Sequence, residues 1–236
     1  MNGRRSWRAI GLALLAIQIT LAGALFFVER REASAVPAAP NLEDWDFPIP
    51  DMSLTIESGI ERANLVAVSW HEDAELAFVS MQIDWATTDP PATTTSVSAF
   101  GWLRLMYLAP VPNGSSDFAA LSLTFERVSG QLTGASVRRW GSSPPSEPLF
   151  TNITVSSETA ILAGELSGGT AFRAACPTLR FQSGTTLTVD QATNERFWTI
   201  VYRDRSDSTT GPMRLTVNAT TGQVEDVAAG ALACTG

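Results

Sequence analysis

Hydrophobic and polar residues alternate through 213–217, as in a strand that buries one of its two faces. A Thr-Gly pair at 221–222 follows, and a second apolar stretch begins there, so this region predicts a β-hairpin. The same pattern occurs 92 residues earlier, over 121–132, with the shared sequence Leu-Thr-(Phe/Val)-x-x-x-(Ser/Thr)-Gly-Gln-(Leu/Val). The chain is therefore predicted to contain two copies of one structural unit.

The remaining periodicity predicts a helix followed by a meander of strands in each unit. The first unit has a predicted helix from Ser53 to Val66 and strands at 79–85, 98–108 and within 121–140. The second has a helix at 157–175 and strands at 179–189, 196–203, 213–217 and 223–227. A stretch rich in Gly, Ser and Pro separates them at 141–148. The predicted fold class is α+β, with two tandem helix-plus-antiparallel-sheet domains at 53–141 and 149–236.

An uncharged stretch at residues 10–28 has the length of a membrane span, since its 19 residues would rise roughly 28 Å as an α-helix. Three arginines in the basic segment 1–9 precede it and two follow it, which favours a cytoplasmic N-terminus. The alternative is a cleaved signal peptide with 33–35 as its cleavage site. We predict one N-terminal transmembrane helix at 10–28, followed by the two domains outside the cytoplasm.

Residues 29–52 are predicted to form a Pro-rich linker before the first domain. Four of its side chains are more apolar than a linker requires, and these are Leu42, Trp45, Phe47 and Ile49. They either pack back on their own domain or bind a partner protein. These four residues are the candidate partner-binding site.

Charge excludes several classes of function. All 16 basic residues are Arg, so no lysine is present to form a Schiff base or to bind phosphate in a P-loop. From Ala33 onward the chain has 11 Arg and 22 Asp or Glu. This excess of negative charge would repel DNA or RNA, and nucleic acid is therefore not an expected partner.

Cysteine and histidine give little sign of chemistry. Cys176 and Cys234 lie beyond the predicted membrane segment, where they either form a disulfide or remain free thiols, and CxxC redox spacing is absent. His71 is the one histidine, and Glu75 stands where a zinc-binding HExxH helix needs its second histidine. We expect no catalytic residue, metal or cofactor, although an enzymatic alternative would rest on His71 and its acidic neighbours.

The 198–202 strand, followed by the 215–224 hairpin, resembles the end of a PepSY domain, where a Trp-containing strand precedes a strand reading V-(D/N)-A-x-T-G-x-V. Residues 102–107 together with 121–132 look like a more diverged copy. The resemblance implies a helix packed on a small antiparallel sheet. It also implies non-catalytic roles, as inhibitory segments of secreted peptidases or as membrane-anchored units that bind other envelope proteins.

The expected function is a non-catalytic, single-pass extracytoplasmic accessory or scaffold subunit of a larger bacterial membrane protein complex. A respiratory or photosynthetic electron-transfer complex is one setting for it. The expected partners are other membrane or extracytoplasmic protein subunits, and the bilayer through residues 10–28. The alternative is a membrane-tethered regulator or inhibitor of an envelope peptidase or cell-wall enzyme. The expected location is the bacterial inner membrane, with most of the chain outside the cytoplasm.

Overall fold

The computed structural model describes residues 36–85, 101–111, 117–141, 148–175, 181–190, 192–204 and 212–229. The first half contains α1 (Ile56–Trp70), β1 (Glu75–Asp84), β2 (Gly101–Pro110), β3 (Phe118–Glu126) and β4 (Leu132–Trp140). The second half contains α2 (Ser157–Gly164), a π-helical segment (Glu165–Gly169), α3 (Thr170–Ala175), β5 (Phe181–Val189), β6 (Arg196–Asp204), β7 (Met213–Asn218) and β8 (Val224–Ala229). The predicted order of a helix and then four strands in each half is confirmed.

The eight strands form one antiparallel sheet rather than two small ones. Its strand order is β4-β3-β2-β1-β5-β6-β7-β8, so β1 of the first half pairs directly with β5 of the second. The predicted fold class of two tandem domains is therefore wrong. Hydrogen bonding along β1 and β5 joins the halves into a single sheet, and residues 53–141 and 149–236 share it.

The predicted hairpin repeat is confirmed. Gly130 and Gly222, which are 92 residues apart, both have a positive φ, of 70° and 77°. Each occupies the turn of its hairpin, where the absence of a side chain permits this backbone conformation. The ladders also shift register at equivalent positions, between Thr124 and Phe125 and again between Thr216 and Val217. The two hairpins therefore share their turn and their bulge.

The pairing of β1 with β5 relates the two halves by an approximate two-fold axis. Met81 lies opposite Leu103 in the first half, and Leu187 lies opposite Trp198 in the second. Leu103 and Trp198 in turn face the equivalent hairpin residues Phe125 and Val217. Met81 and Leu187 are therefore equivalent, and so are the residues that precede them, Ser80 and Thr186. These two residues pair with each other. The axis thus passes between them.

Helix α1 begins and packs as its sequence dictates. Thr55 and Ser58 form a capping box, in which each side chain bonds to the backbone N–H of the other. The buried positions recur at helical spacing and face the sheet. Gly59 is required at the closest approach, because a Cβ there would lie 1.8 Å from Leu103 Cδ2. The core therefore lies between the helices and one face of the sheet.

The N-termini of α1 and α2 meet where the two halves join. The Glu57 carboxylate accepts hydrogen bonds from the backbone N and from Oγ of Ser157, both at 2.8 Å. Ser157 Oγ also accepts from the backbone N of Ile56 at 3.4 Å. Because a carboxylate is favoured at a helix N-terminus, Glu57 of one half stabilises the helix of the other.

The prediction of a membrane-spanning helix finds no support in the structure. Within the described ranges, no helix is long and apolar enough to cross a bilayer. The predicted segment at 10–28 lies outside those ranges. The prediction of one transmembrane helix followed by two domains is wrong as a description of the fold, because the described residues form one eight-stranded sheet and contain no such helix.

The two tryptophan-containing strands, β2 and β6, occupy equivalent places in the two halves, but their tryptophans do not. Trp198 lies on the helix-covered face and is fully buried, whereas Trp102 lies on the opposite face and is half-buried. The structural counterpart of Trp198 is Leu103, because both face the equivalent hairpin position across the ladder. A shift of one residue in a strand exchanges its two faces.

Candidate functional site

The four candidate partner-binding residues lie in an extended segment, residues 36–50, which we call the strap. Phe47 is buried and its ring centroid lies 5.8 Å from that of Phe125, while Trp45 is half-buried and stacks on Phe47 at 5.9 Å. Leu42 and Ile49 are 36% and 77% exposed. Two of the four residues therefore anchor the strap to the fold, and two remain on the surface. Whether they bind a partner stays a prediction.

Arg62 of α1 fixes the strap in place. Its guanidinium lies over the Phe47 ring, with Cζ 5.3 Å from the ring centroid. The same group donates to the Pro48 carbonyl at 2.8 Å and to the Gly130 carbonyl at 2.9 Å. The side-chain amide of Gln131 donates to the Phe47 carbonyl. The strap is thus held by directed hydrogen bonds as well as by apolar contact.

An open groove of about 360 Å³ lies between the strap and the C-terminal end of α1. Its lining is formed by Pro37, Ala38, Pro40, Asn41, Asp44, Trp45, Ser69 and Trp70. Asn41 shapes this wall, because its side chain caps the 3-10 turn Leu42–Asp44 by accepting from the backbone N of Glu43. The volume is at the lower end of the range of about 300 to 1,000 Å³ typical of ligand sites.

A second candidate surface is the sheet face opposite the helices, which we call the open face. Across its middle, one row of mostly polar side chains runs in register through seven strands, and its members are Thr124, Arg104, Ser80, Thr186, Thr199, Thr216 and Asp226. Phe78, Trp102 and Met106 add apolar area beside this row. No described element covers the middle of this face, although Leu108 and Ala120 at one end are buried.

Sequence reasoning missed a buried polar cluster beneath the π-helical segment. Glu165 and Arg173 form an ion pair of 2.5 Å with side chains only 1% and 8% exposed. The Arg173 guanidinium also lies 4.3 Å from the centroid of the Trp85 ring, whose Nε1 donates to Ser183 Oγ at 2.9 Å. Burial, together with the Glu165 carboxylate, raises the pKa of Tyr202 well above its usual value. The cluster belongs to the buried core of the described fold, since Glu165 and Tyr202 are 2% and 0% exposed.

Glu158, in the first turn of α2, is the one described carboxyl group whose pKa is clearly raised. Burial raises it most, the neighbouring Glu57 raises it further, and Arg127 opposes both. Burial also lowers the pKa of Arg127 to about 10. Because the helix N-terminus would favour a charged carboxylate, the upward shift means that desolvation and repulsion outweigh the dipole here.

Replacing Glu158 is expected to change how stability depends on pH. A carboxyl group whose pKa is raised on folding contributes stability below its unfolded pKa, near 4.5, and loses that contribution as pH rises through its folded value. Glu158→Gln should therefore unfold at a higher urea concentration than the wild type at pH 7 and match it at pH 4. If the unfolding midpoints of Glu158→Gln and the wild type differ equally at pH 4 and pH 7, the raised pKa of Glu158 is contradicted.

The other candidates from the sequence are partly outside the structure. Cys176 and Cys234 lie outside the described ranges, so their pairing stays a prediction. His71 follows the last residue of α1, and its Nδ1 accepts from the backbone N of Asp73 at 3.2 Å. The described residues contain no group of three His, Cys, Asp or Glu side chains placed to hold a metal.

Comparison with known proteins does not identify a family. No family model matches the chain, and no curated protein matches it. Among solved structures, it is similar to a putative lipoprotein from Clostridium difficile 630, with a TM-score of 0.43 and 11% identity. That similarity covers 80% of this chain and 97% of the other. The resemblance to PepSY domains stays a prediction.

Proposed function

We propose that this protein is a non-catalytic, extracytoplasmic accessory or scaffold subunit that binds a folded protein partner within a larger bacterial complex. The observation that carries this proposal is the open face of the sheet. Eight strands spaced about 4.8 Å apart give a face roughly 35 Å wide, and no described element covers its middle. About five residues along each strand, at roughly 3.4 Å each, make that area on the order of 600 Å², against about 800 Å² buried by each partner in a stable protein complex.

The composition of the open face also suits a protein partner. Trp, Met and Arg are the residue types that contribute most at interfaces, and Trp102, Met106 and Arg104 lie side by side on β2. Ser80, Thr186 and Thr199 lie on the next three strands, β1, β5 and β6, and supply hydroxyl groups there. A rigid sheet presents these groups without further ordering, which lowers the entropic cost of association.

The native size of the protein tests this function. After gentle extraction, the full-length wild type is expected to migrate in a complex of defined stoichiometry. Trp102→Ala should release it as the free chain, because truncating a central interface tryptophan typically weakens binding by 2 kcal/mol or more, which is about 30-fold. Leu166→Ala is the control, since Leu166 is apolar and 80% exposed but belongs to the helix side.

Two outcomes would overturn this function. A wild-type chain that is monomeric under gentle extraction would remove its basis. A Trp102→Ala variant that stays in the complex as fully as Leu166→Ala would show that the open face is not the interface, which removes the observation that carries the proposal.

A further inference from the structure

The groove beside the strap combines aromatic rings with negative charge. The residues that line it include the aromatic Trp45 and Trp70, the apolar Pro37 and Pro40, and the acidic Asp44. A cation near the face of an indole ring is attracted by the ring quadrupole, and Trp is the strongest of the aromatic residues in this respect. The lining therefore has the chemistry of a site for an organic cation.

Acidic side chains also flank the groove along the chain. The carboxylates of the strap and of the turn that follows α1 are Glu43, Asp44, Asp46, Glu72 and Asp73. Among the basic side chains of α1 and β4, Arg62 is engaged with Phe47 and the Pro48 carbonyl, Arg138 packs on the Trp140 ring, and Arg139 lies 4.0 Å from Asp117. The acidic side chains in this neighbourhood outnumber these arginines, which favours a ligand of positive charge.

We propose that this groove binds an extended, arginine-containing segment of a partner protein. The guanidinium lies against the indole rings and is neutralised by Asp44. Arginine fits better than lysine because its planar group stacks on aromatic rings. This site is separate from the open face and goes beyond the function proposed for it.

A short peptide tests the groove with the full-length protein. The probe is acetyl-Ala-Arg-Ala-amide, and its neutral counterpart carries citrulline in place of arginine. Indole N–H signals followed by NMR should shift for Trp70 on adding the arginine peptide. We expect the citrulline peptide to bind at least fivefold more weakly. Asp44→Asn should weaken the arginine peptide by a similar factor and leave the citrulline peptide unchanged.

Two further variants separate the parts of the site. Trp70→Phe keeps a ring whose quadrupole is weaker, so it should weaken the arginine peptide and leave the citrulline peptide nearly unchanged. Glu195→Gln removes an exposed carboxylate between β5 and β6, in the other half of the fold, and should have no effect. Equal binding of both peptides to the wild type would show a groove for neutral segments and overturn the proposal. A loss of binding in Glu195→Gln as large as in Asp44→Asn would do so as well, because the attraction would then be non-specific.

Discussion

Trp198→Ala is expected to lower the free energy of unfolding by about 3–5 kcal/mol, the usual cost of truncating a fully buried aromatic residue. Trp198 has no exposed surface, and its ring meets the Phe150 ring edge-on at 6.0 Å. Its Nε1 donates to the Val155 carbonyl at 2.9 Å, and that acceptor would lose this donor. Urea unfolding followed by circular dichroism measures the difference.

Trp102→Ala is the matched control for this prediction. Trp102 is half-buried on the open face, so its removal should cost about 1 kcal/mol. Natural domains are stable by only about 5–15 kcal/mol, and Trp198→Ala could fall below the limit for folding. Trp198→Phe keeps an aromatic ring in place and should still cost more than Trp102→Ala. Equal costs at the two positions would contradict the assigned faces of β2 and β6.

Glu165→Ala is expected to be the second strongly destabilising change, with a loss of about 3–5 kcal/mol. It would leave the Arg173 guanidinium, on a side chain that is 8% exposed, without its carboxylate. Thr170 Oγ1, which donates to the same carboxylate at 2.7 Å, would also lose its acceptor. The change is measured as a shift in the midpoint of urea unfolding, with the dependence of the free energy of unfolding on urea concentration unchanged.

A surface ion pair provides the comparison for Glu165. Asp117 and Arg139 lie 4.0 Å apart with side chains 45% and 58% exposed, so Asp117→Ala should change stability by at most about 1 kcal/mol. Replacing both buried partners, as Glu165→Met with Arg173→Met, should recover much of the loss, because no unpaired charge then remains. A cost below 1 kcal/mol for Glu165→Ala would show that the pair is solvated.

Local structure in this fold follows closely from the sequence. Alternation in 79–85 and 213–217 places Met81 and Leu215 on the buried face, as predicted. The Thr-Gly turn at 221–222 supplies the positive φ that the β7–β8 hairpin uses. These signals are local, since one strand or one turn is enough to produce them.

The joining of the halves has no comparable local signal. An unpaired strand edge offers the same backbone N–H and C=O groups whether it meets solvent or another strand. The pairing of β1 with β5 therefore cannot be read from periodicity, and two separate sheets were the natural expectation. Ser183 and Thr185 are polar and yet completely buried in β5, so composition does not reveal that this strand is central.

The buried pair of Glu165 and Arg173 escaped sequence analysis for a different reason. Regular helical periodicity cannot place the two side chains, because five residues of π-helix and Gly168, with φ of 136°, lie within the helical run. Gly169 also permits the close approach of this segment, since a Cβ there would lie 2.6 Å from the Tyr202 ring. The groove beside the strap was missed because Trp70 and Trp45 are distant in sequence.

Ser80 pairs with its own counterpart, Thr186, across the approximate two-fold axis. This pairing determines whether the melting temperature depends on protein concentration. Closed homodimers are built around such axes, with the same surface patch on both subunits. Here both patches belong to one polypeptide, so the association is intramolecular and mass action does not apply. The melting temperature of an otherwise monomeric sample should be the same at nanomolar and micromolar protein, whereas a true dimer of half-length chains would melt earlier when diluted.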